Sequence, residues 1–126
     1  MNIIISDLIG KPFDEKNFNC WHLAKEVFRR FGIEVKDYHV WAFDYDTIKN
    51  THERDIKDWI KVESPPTPAL ITMRFNRPHV NHVAVYLGGG NFIHNYQSAG
   101  VCYDSFNGLH GQTWKRMVDG FYKPGW

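Results

Sequence analysis

The stretch FNCWHLAKEVFRRFGIEV, residues 18–35, predicts an amphipathic helix. Its apolar residues recur at intervals of three and four, which collects them into one stripe with charged side chains on the other side. Asn19 can cap the start, because its side-chain oxygen can accept hydrogen bonds from free backbone N–H groups. Gly32 is a typical residue to end the helix. The predicted stripe consists of Leu23, Ala24, Val27, Phe28 and Phe31.

The helix begins at Cys20, and a thiol in that position has two interpretations. It can be a small buried residue, because cysteine is among the residue types most often buried. It can also be a nucleophile, because free N–H groups and the helix dipole favour a thiolate there and lower the pKa of the thiol. The same N–H groups can stabilise an oxyanion during acyl transfer. A nucleophile would also need a base from elsewhere in the chain.

Composition excludes several classes of protein. The chain has 126 residues, of which 43% are apolar and 16% aromatic, so we expect one globular domain over residues 1–126. Its net charge of +1 gives no single-sign field, so we expect no nucleic-acid partner. The longest apolar run near the N-terminus, residues 3–5, is too short for a signal peptide or a membrane span. We therefore expect no membrane insertion, a protein that is cytoplasmic when synthesised, and free thiols at Cys20 and Cys102.

The period of the apolar residues changes along the chain. Ser6 or Asp7 can cap a short first helix, and residues 36–63 have a weak helical pattern that predicts one or two short helices, one of them before Val62. After the turn ESPPTP the period becomes two, and ALITMRF, NHVAVYLG, NFIHNYQ and GVCYDSF predict four short strands. A last strand is expected around residues 118–122. Helices followed by an antiparallel sheet make an α+β arrangement. The weak helical pattern consists of Ile48, Ile56, Trp59 and Ile60.

Two histidines are placed where they could act as the base for the Cys20 thiol and as the group that orients the base. His82 opens the strand HVAVYLG, with its side chain on the same face as Ala84 and Tyr86. His94 lies in the next strand, across the GGGN turn, so a hairpin could bring the two rings together. A nucleophile, a base and a group that orients the base would then be complete. Alternatively, His94 is an ordinary, partly exposed strand histidine.

Two blocks, NCWHLAKEVFRRFGI and NHVAVYLGGGNFIHNYQSAGVCYDSF, together resemble the NlpC-type cell-wall peptidases, which are papain-like cysteine enzymes of bacteria and their phages. Three features match the pattern of that family: the order of the blocks, the pair HV-V-YLG and FIH, and GKPF at residues 10–13. The short chain and the CW-L variant are most similar to its phage and prophage tail-associated branch. The resemblance implies a papain-like fold with N-terminal helices packed on a small antiparallel β-sheet.

The resemblance also implies a site and a substrate. Cys20 would be the nucleophile, His82 the base and His94 the residue that orients the base. The reaction would be hydrolysis of an amide bond in a peptidoglycan stem peptide or cross-bridge, with no cofactor. Phage tail proteins would be possible partners, and the virion tail a possible location.

Some residues depart from the family pattern or have other interpretations. Trp21 stands beside the cysteine where a small residue is usual, and Phe13 replaces a tyrosine; with Tyr86 they are the expected substrate-binding residues. We expect His22 at the surface or rim. Asn95 is a second candidate for the orienting residue, although strand alternation turns it away from the face of His94. Cys102 is expected to be a spare thiol in a half-buried strand.

Other functions remain open on sequence alone. His79 and His82 with Cys20 and His94 could suggest zinc, but the chain has no close cysteine pair, so we expect no metal. A non-catalytic tail assembly or binding module could use the same fold. A related cysteine acyltransferase or deamidase could use the same residues with an acceptor other than water.

Overall fold

Two helices and a six-stranded sheet form the described part of the chain, which comprises residues 4–35, 56–76 and 78–126 of the computed structural model. The helices are α1 (Cys20–Arg30) and α2 (Gly111–Met117), with 3-10 turns at Ser6–Leu8 and Ile56–Asp58. The strands are β1 (Trp59–Val62), β2 (Ala69–Met73), β3 (His82–Gly88), β4 (Asn91–Tyr96), β5 (Gly100–Ser105) and β6 (Val118–Pro124). The sheet order is β1-β6-β2-β3-β4-β5, and every neighbouring pair is antiparallel. The predicted α+β class is therefore confirmed.

Both ends of α1 are closed by the residues that the sequence indicates. The Asn19 side-chain oxygen accepts hydrogen bonds from the N–H groups of Trp21, at 2.9 Å, and His22, at 3.2 Å. A reciprocal hydrogen bond also forms, in which His22 Nδ1 accepts from the Asn19 N–H at 3.0 Å. At the other end Gly32 adopts a φ of 82°, and its N–H donates to the Arg29 carbonyl. These caps make Cys20 the first residue of the helix.

The sheet has an apolar core on each face. The helix α1 packs on one face, where Phe28 belongs to a cluster that includes Val85 and Ile93. The helix α2 lies on the other, where Trp114 packs against a second cluster that includes Phe92. Side chains alternate along a strand, so β3 and β4 send successive residues into different cores. The second cluster consists of Ile71, Met73, Ala84, Phe92 and Phe106.

The N-terminal segment is bonded to both α1 and the sheet. Arg30 of α1 pairs with Asp7 and with Glu26, and the Glu26 oxygen lies 2.8 Å from Arg30 Nε. The Gly10 N–H donates to the Val101 carbonyl at 2.9 Å, at the beginning of β5. The GKPF segment is therefore attached to the edge of the sheet.

Two elements differ from the sequence-based expectation. Trp59 and Ile60, predicted as helical, belong to strand β1, because they pair with residues of β6 that are more than 60 positions away. Ile56 lies in a 3-10 turn, and Ile48 lies outside the described residues. The helix α2 was not predicted. Its N-cap residue, His110, makes no side-chain capping hydrogen bond, so the usual sequence signal is missing.

Candidate active site

Three polar side chains form a continuous hydrogen-bonded line across three strands. His82 Nε2 lies 2.8 Å from His94 Nδ1. The other nitrogen of that ring, His94 Nε2, lies 2.9 Å from Asp104 Oδ2. The hairpin therefore brings the two predicted histidines together, and Asp104 extends the line by one residue that sequence reasoning missed.

The position of Asp104 follows from the register of β4 against β5. Across this pair His94 faces Cys102, and Phe92 faces Asp104. Asp104 is therefore the diagonal neighbour of His94 on the same face, within reach of a long side chain. Strand alternation in GVCYDSF puts Cys102 and Asp104 on one face, and that was the available signal. Without the register it could not connect the carboxylate to a particular histidine.

Aromatic rings surround the histidine pair. The His82 ring stacks on Phe75, with centroids 4.2 Å apart and planes 24° apart. His94 is only 1% exposed and lies between the stacked ring of Tyr96 and the edge-on ring of Trp114. Burial first, and the neighbouring His94 second, hold the pKa of His82 well below its usual value of 6.5. The His82 ring is therefore neutral at pH 7 and has a lone pair to accept a proton.

The thiol of Cys20 is protonated in the resting protein. The residue is 8% exposed, and burial raises the pKa of the thiol to about 11, although backbone hydrogen bonds at Val83, Cys20 and Trp21 act in the opposite direction. The sequence-based expectation of a lowered pKa at the helix N-terminus is therefore wrong for this state. Burial destabilises the thiolate more than the backbone hydrogen bonds stabilise it. The contact with Val83 places the sulfur at the beginning of β3, whose first residue is His82.

The backbone before Cys20 is held by β4. Asn95 is fully buried, and its Nδ2 donates to the Phe18 carbonyl at 2.7 Å and to the Asn19 carbonyl at 3.4 Å. The side chains of Asn95 and His94 leave the strand on opposite faces, as alternation predicts. Strand β4 therefore contacts the histidine pair on one side and the segment that leads into Cys20 on the other.

The three expected substrate-binding residues have different surroundings. Trp21 is 6% exposed and packs edge-on against Trp59 in the core beneath α1, so it presents little surface to a ligand. This burial argues against the expected role of Trp21. Tyr86 lies four residues beyond His82 in β3, which is about 13 Å along a strand, and its hydroxyl accepts from the Gly90 N–H. Phe13 is half-buried in the segment attached to β5.

Two further candidates make local contacts. His22 acts in the cap of α1, and Cys102 lies half-buried in β5 with its Sγ 3.5 Å from the Gly100 carbonyl. Both thiols are free, as expected. Within the described ranges no group of three or more His, Cys, Asp and Glu side chains is placed to hold a metal ion. No helix in those ranges is long and apolar enough to cross a membrane.

Solved structures with this arrangement define the class as an α+β papain-like fold. An NlpC/P60 family protein from Bacillus cereus ATCC 10987 aligns with a TM-score of 0.63 and 17% identity, over 98% of this chain and 41% of its own. A protein described as similar to lipoprotein, NLP/P60 family, from Staphylococcus aureus subsp. aureus Mu50 aligns with a TM-score of 0.59 and 18% identity, over 94% of this chain and 38% of its own. The predicted fold is confirmed.

Sequence comparison then gives the family. The model of the NlpC/P60 family matches residues 10–122, so the chain belongs to the NlpC/P60 family. The tail tip assembly protein K of Escherichia phage N15 is 29% identical over an alignment of 97 residues that covers 70% of this chain. This chain spans 39% of the length of that relative.

Proposed function

We propose that the protein is a cysteine hydrolase that cleaves an amide bond, with Cys20 as the nucleophile, His82 as the general base and His94 as the residue that orients the base. The observation that carries the proposal is the 2.8 Å hydrogen bond between the two histidines, one of which begins the strand that the Cys20 sulfur contacts. Membership of the NlpC/P60 family supports a cell-wall peptidase type of function. We also infer that residues 1–126 form a single domain of this type.

The first step begins from two neutral groups. The buried thiol and the buried imidazole both avoid charge in the resting site, because burial disfavours a thiolate and an imidazolium alike. The thiol proton passes from Sγ to Nδ1 of His82 as the sulfur attacks the carbonyl carbon. For this transfer, Sγ of Cys20 and Nδ1 of His82 must come together beside the first residue of β3. The backbone N–H of Cys20 is the candidate donor to the oxyanion that forms.

The second half of the reaction returns the proton. The imidazolium of His82 gives it to the nitrogen of the leaving amine, the C–N bond breaks, and a thioester remains on Cys20. Water then attacks the thioester carbonyl while His82 accepts a proton from it. The C–S bond breaks, the acid is released, and the sulfur recovers its proton. His94 holds the ring of His82 in one orientation throughout.

The proposed substrate is a stem peptide or cross-bridge of peptidoglycan, as the family resemblance implies. The similarity to a phage tail tip assembly protein supports a setting in the virion tail, with other tail proteins as partners. Of the expected substrate-binding residues, Phe13 is the one we retain, because it is half-buried in the segment joined to the sheet edge.

A non-catalytic tail module is the second candidate. The specific observation in its favour is that the Cys20 thiol is buried and protonated, which a structural cysteine would also be. The name of the phage relative describes assembly and no chemistry. The two functions make opposite predictions for the same variants.

Release of muropeptides from purified sacculi separates the candidates. The enzyme proposal predicts soluble fragments with new amine termini from the wild type and from Cys102→Ala, but none from Cys20→Ala. In water enriched in oxygen-18, hydrolysis adds one labelled oxygen to each released carboxylate, whereas transfer to another acceptor adds none. Equal release by wild type and Cys20→Ala, or none by either, would remove the hydrolase proposal.

A further inference from the structure

Asp104 is the one member of the hydrogen-bonded line that the proposed reaction does not use. Its carboxylate oxygen lies 2.9 Å from His94 Nε2, and its side chain is 30% exposed while that of His94 is fully buried. We propose that Asp104 is a positioning residue that determines which nitrogen of His82 is free to accept a proton. Its catalytic consequence rests on the proposed function, but the proton arrangement itself does not.

The proton arrangement follows from donor and acceptor chemistry. An ionised carboxylate can only accept, so the hydrogen between Asp104 and His94 belongs to His94 Nε2. A neutral His94 then has a lone pair at Nδ1, which must accept from its neighbour. His82 therefore donates from Nε2, and a neutral His82 ring has its lone pair at Nδ1. In the proposed reaction, that nitrogen accepts the proton of the Cys20 thiol.

The reversed arrangement would disable the base. If His94 Nδ1 carried the hydrogen, it would donate to His82 Nε2, and the proton of a neutral His82 would lie on Nδ1. That nitrogen could not accept a proton from sulfur. The reversed arrangement also places the His94 Nε2 lone pair against a carboxylate, with two acceptors facing each other. Asp104 therefore favours the arrangement in which Nδ1 of His82 is free to accept a proton.

Asp104 acts only through His94. The intervening ring separates its carboxylate from His82, and aromatic neighbours of His94 prevent that ring from turning to make another bond. At metal sites, carboxylates that orient a ligating histidine change affinity or activity by about 10- to 100-fold, and Asp104 makes the same kind of hydrogen bond to His94. We expect a loss of that size in the turnover number of Asp104→Asn, with a smaller change in KM.

Nitrogen-15 NMR of the histidine rings tests the proton arrangement directly. In the wild type, at a pH well above the usual histidine pKa of about 6.5, we expect hydrogen on Nε2 of both His82 and His94, with Nδ1 bare. Asp104→Asn keeps the size of the side chain but can present either an oxygen or an NH₂ group, so a second set of His82 signals with hydrogen on Nδ1 should appear. Asp119→Asn is the matched control. Asp119 is 24% exposed, accepts from Thr72 Oγ1 at 3.0 Å, and should leave both rings unchanged.

The outcomes distinguish this inference from the proposed function. Hydrogen on Nδ1 of His82 in the wild type would overturn the role of Asp104, whether or not the protein cleaves sacculi. So would ring signals in Asp104→Asn identical to those of the wild type. The wild-type measurement decides the matter even if the variant does not fold. The expected tautomers in a protein without hydrolase activity would support the inference and remove the proposed function alone.

Discussion

Cys102 lies directly opposite His94 in the pairing of β4 with β5, so the fold places a second thiol beside that histidine. The two thiols have different environments. Cys20 is buried at the beginning of α1, whereas Cys102 is half-buried in a strand at the edge of the sheet. This difference allows one to serve as an internal control for the other.

Alkylation should therefore be slow at Cys20 in the resting protein. Its pKa of about 11 means that the thiolate fraction is very small at neutral pH, and burial adds a barrier to access. We expect iodoacetamide to modify Cys102 before Cys20 at pH 8, with the Cys20 rate still rising up to about pH 11. Peptide mapping by mass spectrometry over a pH series measures both rates. Rapid modification of Cys20 that saturates below pH 7 would show a preformed thiolate and contradict the neutral resting pair.

Asn95→Ala should destabilise the protein and weaken the site together. The substitution removes the side-chain donor of the Phe18 and Asn19 carbonyls, which keep their backbone donors. Each hydrogen bond lost in this way costs about 0.5–1.5 kcal/mol in the free energy of unfolding. Asn107→Ala is the matched control, because that exposed amide donates a longer bond of 3.3 Å to Gly89. We expect the control to change stability by less than about 0.5 kcal/mol. Urea unfolding of both variants would refute the anchoring role of Asn95 if the two losses were the same.

Asn19→Ala should loosen the first turn of α1. It removes the acceptor for the Trp21 and His22 N–H groups, and loss of such a cap costs about 0.5–2 kcal/mol. Serine can also cap a helix, so Asn19→Ser should lose less stability than Asn19→Ala. Thermal unfolding with circular dichroism compares the two. An equal loss in both variants would mean that the cap is not what stabilises this turn.

The ion pairs on α1 should make stability depend on acidity. Hydrogen bonds first from Arg29 and also from Arg30 lower the pKa of Glu26 to about 2, from a usual value of 4.5. Because the folded-state pKa is the lower one, this stabilisation is complete above about pH 4.5 and is lost as the pH falls towards 2. These charges are near the surface, so we expect a contribution of about 0.5–1 kcal/mol. The melting temperature of Glu26→Gln should fall less than that of the wild type over this range, and parallel curves would contradict the assignment.

Sequence reasoning succeeded where the pattern is local. The period of the apolar residues and two capping residues, Asn19 and Gly32, are enough to define α1. Alternation over short segments was enough for β2 to β5 and for the last strand. The His82–His94 contact could also be predicted, because a tight turn joins their two strands.

It failed where the deciding contact is distant in the chain. The apolar pattern around Trp59 predicts a helix, but Trp59 is in a strand because it pairs with Pro124. The role of Asp104 depends on the register between two strands, and the pKa of Cys20 depends on how completely its surroundings exclude water. Local periodicity contains none of this information.

If Cys20 is the nucleophile, a thioester forms on its sulfur during turnover, and detecting that thioester is the decisive experiment. The protein is mixed with a soluble stem peptide, quenched in acid during turnover, digested and analysed by mass spectrometry. We expect the acyl part of the substrate to be attached to Cys20, no adduct in Cys20→Ala or His82→Ala, and an adduct in Cys102→Ala. An adduct on Cys102, or steady cleavage by Cys20→Ala, would contradict it.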